Sequence, residues 1–336
     1  MDANAYAHGR NNSIAKSLDA FNIDIEAVAD SDTDNTYSPS PSASDSTSST
    51  PDRSPSPTFV SKPPPAHRRF LDHLSTSIDS SATSPIAIYS CFLTGLTAAP
   101  SFAACFVWCG FQTGNAAQLG LAIARTWTPG ADDGFQKMDQ QALVSLLCFL
   151  VGASLGQIGN RVGGRKRSWL VGATLGMMVL MMGAAVAALV SGESGVASGR
   201  GDPSWVTPKG MLALAFLSAA MGLQGAVGSK LGSPLGCTVP LTSTWVDIFN
   251  DPFLFALKPI RTRDVRLLGA FALIFGACVA RSILVLIGSP GTIGVVIGFR
   301  AIQCVWWFYL PDEPYREERS SEMQVERKDN EKAGQR

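Results

Sequence analysis

The chain has 336 residues, and its 27 Lys and Arg balance 27 Asp and Glu, so it carries no net charge at neutral pH. That balance excludes a global electrostatic pull toward nucleic acid, and no nucleic-acid partner is expected. The charges are nevertheless segregated: residues 1–84 are rich in Ser, Pro, Thr and Asp, residues 85–310 are mostly Ala, Leu, Gly, Val and Phe, and residues 311–336 are dense in Glu, Arg and Lys.

Residues 1–84 contain no apolar core segment, so no signal peptide is expected. The stretch "SPSPSASDSTSSTPDRSPSPTF" (38–59) is low-complexity. It cannot bury enough apolar surface to offset the entropy of ordering, which predicts a disordered cytosolic tail. Ser38, Ser40, Thr50, Ser54 and Ser56 each precede a proline. They are candidate sites for a cytosolic proline-directed kinase; the alternative is a solvated tail without regulation. "AHRRFLDHLS" (66–75) predicts a short basic amphipathic helix at the membrane surface.

From Ser80 to Ala124 there are 45 consecutive residues without a charge. About 20 apolar residues cross a bilayer. Further charge-free runs cover 140–160, 168–192 and 210–229, and two more, 267–288 and 291–310, are each broken by one arginine. A soluble protein buries one such helix but not six. The expectation is an all-α polytopic membrane helix bundle with the lipid bilayer as its solvent. Its spans fall at about 85–108, 140–160, 168–191, 210–228, 267–288 and 291–310.

The loops support that count. "RVGGRKR" (161–167) carries four positive charges, and Lys258, Arg261, Arg263 and Arg266 precede the fifth span. Cytoplasmic loops gather Lys and Arg, so both loops and both termini are placed inside. The segment "QTGNAAQLGLAIA" (112–124) is polar at its start and too short to add a span without putting the basic loops on opposite faces. It is therefore expected to be broken or re-entrant. "CTVPLTSTWVDIFNDP" (237–252) is a second short, hydroxyl-rich, proline-broken segment. "FLVGAS" (149–154) echoes "LIFGAC" (273–278) at an offset of 124. The echo predicts a 3+3 inverted repeat, a transporter pattern with its site between the halves.

At these residues the chain resembles the YoaK family of uncharacterised membrane proteins (domain of unknown function 1275). The resemblance is carried by "TGLTAAPSF" (94–102), "TGNAAQLGLA" (113–122) and "MGLQGAVGSKLG" (221–232) followed by "TVPLTST" (238–244). It covers about 85–310, leaves both tails outside, and implies a six- or seven-helix membrane domain with no established activity. The family's first-helix acid, its Asn after the Gln and a Gly in the Thr-rich segment are replaced here by Ala98, Gly225 and Ser243. The missing acid leaves proton coupling at Ala98 unsupported.

Gln112, Thr113, Gly114, Asn115 and Gln118, with Gln224, Thr238, Thr242 and Thr244, are candidates for a substrate path. Either they bond a polar solute, or they glue helices together. Arg281 and Arg300 are read as sharing a layer about 10–14 Å below the outer face. They either attract an anionic ligand, with Asp247 and Asp251 as the nearest counter-charges, or snorkel to the interface. The glycine pairs 152/156, 172/176, 228/232 and 294/298 read as packing sites, and Trp127, Trp169, Trp205 and residues 306–310 as aromatic belts. Seven cysteines in or beside apolar segments suggest neither a disulfide framework nor a metal site, and no cofactor is expected. All three histidines lie in the amino-terminal tail and no hydrolase, kinase or nucleotide motif occurs, so the chain is not expected to be an enzyme. The function expected is a permease or channel for a small polar or anionic solute. The alternatives are a non-transporting membrane scaffold and, third, an intramembrane enzyme.

Overall fold

The computed structural model describes residues 66–128, 134–199, 201–239, 241–256 and 258–313. The proline-directed sites, the low-complexity stretch and nearly all of the charged carboxyl-terminal tail lie outside them. In chain order the helices are α1 (Ala66–Ser75), α2 (Ser84–Cys105), α3 (Gln112–Arg125), α4 (Lys137–Ser154), α5 (Gly156–Val162), α6 (Arg167–Ser191), α7 (Pro208–Gly228), α8 (Thr242–Phe249) and α9 (Arg261–Tyr309). No strand occurs among the described residues.

Local chemistry sets these limits. Pro opens α2 and α7 in the first turn, where its missing N–H costs nothing, and the Thr207 hydroxyl caps α7 by accepting from Gly210 N. Gln136 and Asp139 form a reciprocal capping box on α4. Phe106 ends α2 in the left-handed region (φ 57°), its N–H donating to Phe102 O.

Five helices are long and apolar enough to cross a membrane: α2, α4 continued by α5, α6, α7 and α9. The 49 residues of α9 would run about 73 Å if straight, against a hydrocarbon depth of about 30 Å. Gly288 (φ 70°, ψ −179°) folds α9 into two arms, 261–287 and 289–309. Their far ends return to one place: Arg261 donates to Ser81 O, and Pro311 O accepts from Asp79 N at 3.0 Å. The chain therefore has six long apolar helical segments, the two arms of α9 being counted separately. The sequence placed a loop over Ser289–Gly291; the turn rests on Gly288 alone, and Pro290 lies in the first turn of the second arm.

Both basic loops lie at one end of the bundle, called the basic end here, as do the two flanks of the membrane domain. Ile78 N donates to Arg165 O at 3.0 Å, and Glu313 N to Ser77 O at 2.8 Å. Arg167, fully buried, clasps the junction by donating to Trp307 O at 3.2 Å and to Leu310 O, Thr76 Oγ1 and Asp312. α1 lies against it, with Phe70 stacked on Phe308 and His73 bonded to Phe308 O. The opposite end holds Trp205 and the loop after α6.

The core is built on two glycine interlocks. A Cβ on Gly95 would fall 2.0 Å from Leu273 O and 2.8 Å from Ala277 N, and one on Gly276 would fall 2.1 Å from Phe92 O. In the other half, a Cβ on Gly222 would fall 2.1 Å from Phe149 O and 2.8 Å from Ala153 N, and one on Gly152 would fall 1.9 Å from Ala219 O. Phe149, Gly152 and Ala153 correspond to Leu273, Gly276 and Ala277 at the offset of 124 seen in the sequence. The first half (α2, α3, α4–α5, α6) and the second (α7, α8, the two arms of α9) thus form an inverted repeat. Each half has three long apolar helical segments and one short broken segment.

Two packing expectations need correction. Gly172, Gly294 and Gly298 meet nothing within 4 Å and Gly176 meets only Leu223, so those pairs pack no neighbouring backbone. Trp169, Trp205 and Trp307 are buried in the bundle; among the expected belt tryptophans only Trp127 is fully exposed. A Cβ on Gly159 would fall 2.5 Å from the Trp169 indole, and Trp307 Nε1 donates to Thr174 Oγ1 at 2.9 Å, so position near a helix end was a poor guide.

Gly95→Val is expected to cost about 1–3 kcal/mol or more by overpacking. It should lower the thermal midpoint of the detergent-purified protein, whereas Gly172→Ala, facing open space, should not. A second expectation concerns acid. Burial alone would raise the Asp312 carboxyl, but hydrogen bonds from Arg167 and Thr76 and the Arg167 charge outweigh it and hold the group below its usual range. The clasp's contribution is therefore complete above the unfolded carboxylate value of about 3.9 and is lost as pH falls through the lower folded value. Unfolding midpoints of Asp312→Asn and the parent should differ at pH 6 and converge as the pH falls below the depressed folded-state value.

Candidate functional site

The first interruption starts where α2 ends. From Phe106 the chain turns back into the bundle: Cys109 N donates to Ser101 Oγ at 3.3 Å, and Cys109 Sγ reaches Thr97 O at 3.7 Å. α3 then climbs out again. Its start is level with Ser145, eight residues and about 12 Å along α4. Its end is tied to the start of α4, where the buried Asp139 accepts from Arg125 and from Gln118 Nε2 at 3.4 Å. The α4 start sits at the Trp205 end, because Gln141 Nε2 donates to Ser204 O and Trp205 O at 2.8 and 3.0 Å. Residues 106–125 thus enter and leave at the Trp205 end, as a re-entrant segment.

The second interruption mirrors it from the basic end. After α7 the chain returns to mid-depth, where Thr238 O accepts from Thr94 Oγ1 at 2.7 Å and Cys237 Sγ contacts Gly225 O at 3.8 Å. A Cβ on Gly228 would fall 2.5 Å from Thr238 Oγ1. α8 descends again, and Asp247 pairs with Arg266 at 3.2 Å. The two segments meet: a Cβ on the buried Gly110 would lie 3.2 Å from Val239 Cγ1 and 3.0 Å from Met221 Cε.

Two polar clusters flank this meeting point. On the Trp205 side, Gln112 Nε2 donates to Cys109 O at 2.9 Å and Ser145 Oγ at 3.1 Å. Asn115 Nδ2 donates to Trp108 O at 2.7 Å and Gln112 Oε1 at 2.9 Å, and Ser145 and Ser218 share a bond of 2.9 Å. On the basic side, Gln224 Nε2 donates to Thr94 Oγ1 at 2.7 Å and Ser90 O at 3.0 Å, and Gln303 Nε2 to Ser90 Oγ at 2.8 Å. Arg300 is fully buried there. Its Nη1 donates to Gln303 Oε1 at 3.1 Å and its Nη2 to Gln224 Oε1, while Nε has no partner.

The structure brings together Gln112 and Asn115 in one cluster, and Gln224, Thr238 and Arg300 in the other. Gln118 sits higher, on Asp139. Thr113, Gly114 and Thr242 are exposed on the bundle's outer surface, and Thr244 is buried. Arg281 is exposed on the outward face of the first α9 arm, so it shares no layer with Arg300. The two arms turn at Gly288, leaving Arg300 twelve residues from the turn and Arg281 seven. Neither Asp247 nor Asp251 reaches Arg300: the first pairs with Arg266 and the second accepts from Phe253 N. The sequence reading missed Ser90, Thr94, Ser145, Ser218 and Gln303. Gln303 carried a usable signal, being three residues after Arg300 and hence on its face. The serines did not, since a lone hydroxyl in an apolar run bonds its own helix just as readily.

Six long apolar helical segments, arranged in two halves of opposite direction with one short broken segment each, mark a polytopic α-helical membrane protein. The chain belongs to the family described as protein of unknown function (DUF1275), which residues 86–306 match. No curated protein and no solved structure matches the chain. Among the described residues no cluster of His, Cys, Asp or Glu is placed to hold a metal, and all seven cysteines are free thiols.

Ser145 is the hub of the first cluster. Ser145→Ala is expected to cost about 1–3 kcal/mol, because buried amides lose a partner they cannot replace. Thermal unfolding in detergent measures it, with exposed Ser282→Ala as the neutral control.

Proposed function

We propose that this protein is a permease or channel for a small polar or anionic solute. The observation that carries the reading is the meeting of two re-entrant segments, one from each end of the bundle, at Gly110 and Val239. Non-helical backbone at membrane depth is tolerated where protein or water satisfies it, and paired broken segments in inverted repeats are a transporter arrangement. Buried glutamines, asparagine and hydroxyls from five helices supply donors and acceptors on both sides of that point. Gln112 and Asn115 bond each other, Ser145 and the backbone, and Gln224 bonds Thr94, Ser90 O and Arg300, so the path is closed in this conformation. The two basic loops sharing one end with both flanks favour a cytosolic placement of that end. No catalytic role is assigned to any of these residues. The serines and threonines that precede prolines in the tail remain candidate kinase sites in this reading.

The same mutual bonding favours a second reading, a sealed membrane scaffold that carries no solute. Reconstitution separates the two. The full chain in liposomes is expected to pass at least one small solute from a panel of neutral and anionic compounds faster than protein-free liposomes. Gly110→Leu, which blocks the meeting point, should abolish that flux while Gly172→Ala keeps it. If no member of the panel moves, the scaffold reading replaces the permease.

A further inference from the structure

We infer that the layer around Arg300 is a binding site for a small monovalent anion of the size of chloride, nitrate or acetate. The inference narrows the permease reading and rests on it for its transport consequence; the site itself stands on four observations.

The first is charge. Arg300 is fully buried, and its partners are the neutral oxygens of Gln224 and Gln303. Among the described residues no carboxylate approaches it. Asp139 pairs with Arg125, Asp247 with Arg266, Asp264 with Arg263, Asp312 with Arg167 and Glu313 with Arg165, all at the two ends of the bundle. A buried cation without a counter-charge is expensive, and an anion in contact with it removes that penalty.

The second is the pattern of unused donors. Arg300 Nε and Thr238 Oγ1 are both buried and unpartnered. They belong to one network: Thr238 O accepts from Thr94 Oγ1, which accepts from Gln224 Nε2, whose Oε1 accepts from Arg300. Surplus N–H and O–H groups in one polar layer call for an acceptor.

Third, the electrostatic sign of the broken segments agrees. α3 and α8 both begin next to the meeting point, and neither first turn has a side-chain cap. Their free N–H groups and positive dipole ends favour an anion at mid-depth. Fourth, the layer is tightly packed. Ser90, Thr94 and Gly228 line this layer, and the close approach of Gly228 to Thr238 excludes a bulky occupant. Two glutamine oxygens hold the guanidinium now; an incoming anion takes their place, freeing the amides to turn their N–H groups inward.

The test uses the full chain purified in detergent at constant ionic strength, with bulky gluconate replaced stepwise by chloride, nitrate or acetate. Saturable stabilisation on the order of 5 °C is expected for the parent. Arg281→Gln should keep it and Arg300→Gln should lose it. Arg300→Lys, which retains the charge, should bind more weakly and serves if the glutamine variant does not fold. Absence of any saturable shift in the parent, or an undiminished shift in Arg300→Gln, overturns the site. Flux in liposomes keeps the two readings apart: a neutral solute carried without anion binding sinks the anion site and leaves the permease. Anion binding at Arg300 without flux of any solute does the reverse.

Discussion

Four helix backbones in direct contact govern the rest of this molecule. Lipid tails are as apolar as the helices they surround, so burial alone does not draw helices together in a bilayer; close packing and polar contacts must. Gly95 with Gly276, and Gly152 with Gly222, let backbone touch backbone where any Cβ would collide. These contacts bind α2 to the first arm of α9, and α4 to α7, and they do so twice with the same residues in register. The central helices α2 and α7 are thereby each held against an outer partner, and the broken segments fill the room between them, Gly110 against Met221 and Thr238 against Thr94 and Gly228.

That room explains why short broken segments are stable here. Their free N–H and C=O groups find partners inside the bundle: Cys109 N–H on Ser101 Oγ, Trp108 O on Asn115 and Ser145, Thr238 O on Thr94. The buried hydroxyls and amides are the replacements for hydrogen bonds that a continuous helix would have made with itself. Structural necessity and solute recognition draw on the same side chains, so the presence of Gln112 or Asn115 alone separates neither. Arg300 differs, because no broken strand of chain needs it and its partners are side chains only.

Much of this was legible in the sequence. Charge-free runs gave the crossings, the basic loops gave their common end, and the repeated "FLVGAS" and "LIFGAC" marked the two interlocked glycines. The shortness of 112–124 against the loop charges points to re-entry from the sequence alone. What stayed hidden was rotational. Whether Arg281 faces in or out depends on where α9 turns, and one glycine rather than a three-residue loop sets that phase. The same ambiguity placed tryptophans at the surface that the fold turns inward, and it concealed Ser145 and Ser218, whose partners lie between 30 and 73 residues away in sequence.

The pairing of Ser77 with Glu313 and of Asp79 with Pro311 has a topological consequence. The polypeptide enters and leaves the lipid-embedded region through a single doorway, side by side, as if the fold were a ring cut at one point. A linker of a few residues would close that ring, and Gly288, a lone hinge at the far rim, offers another place to open it. Reading order along the gene is thus one of several that this arrangement of helices accommodates.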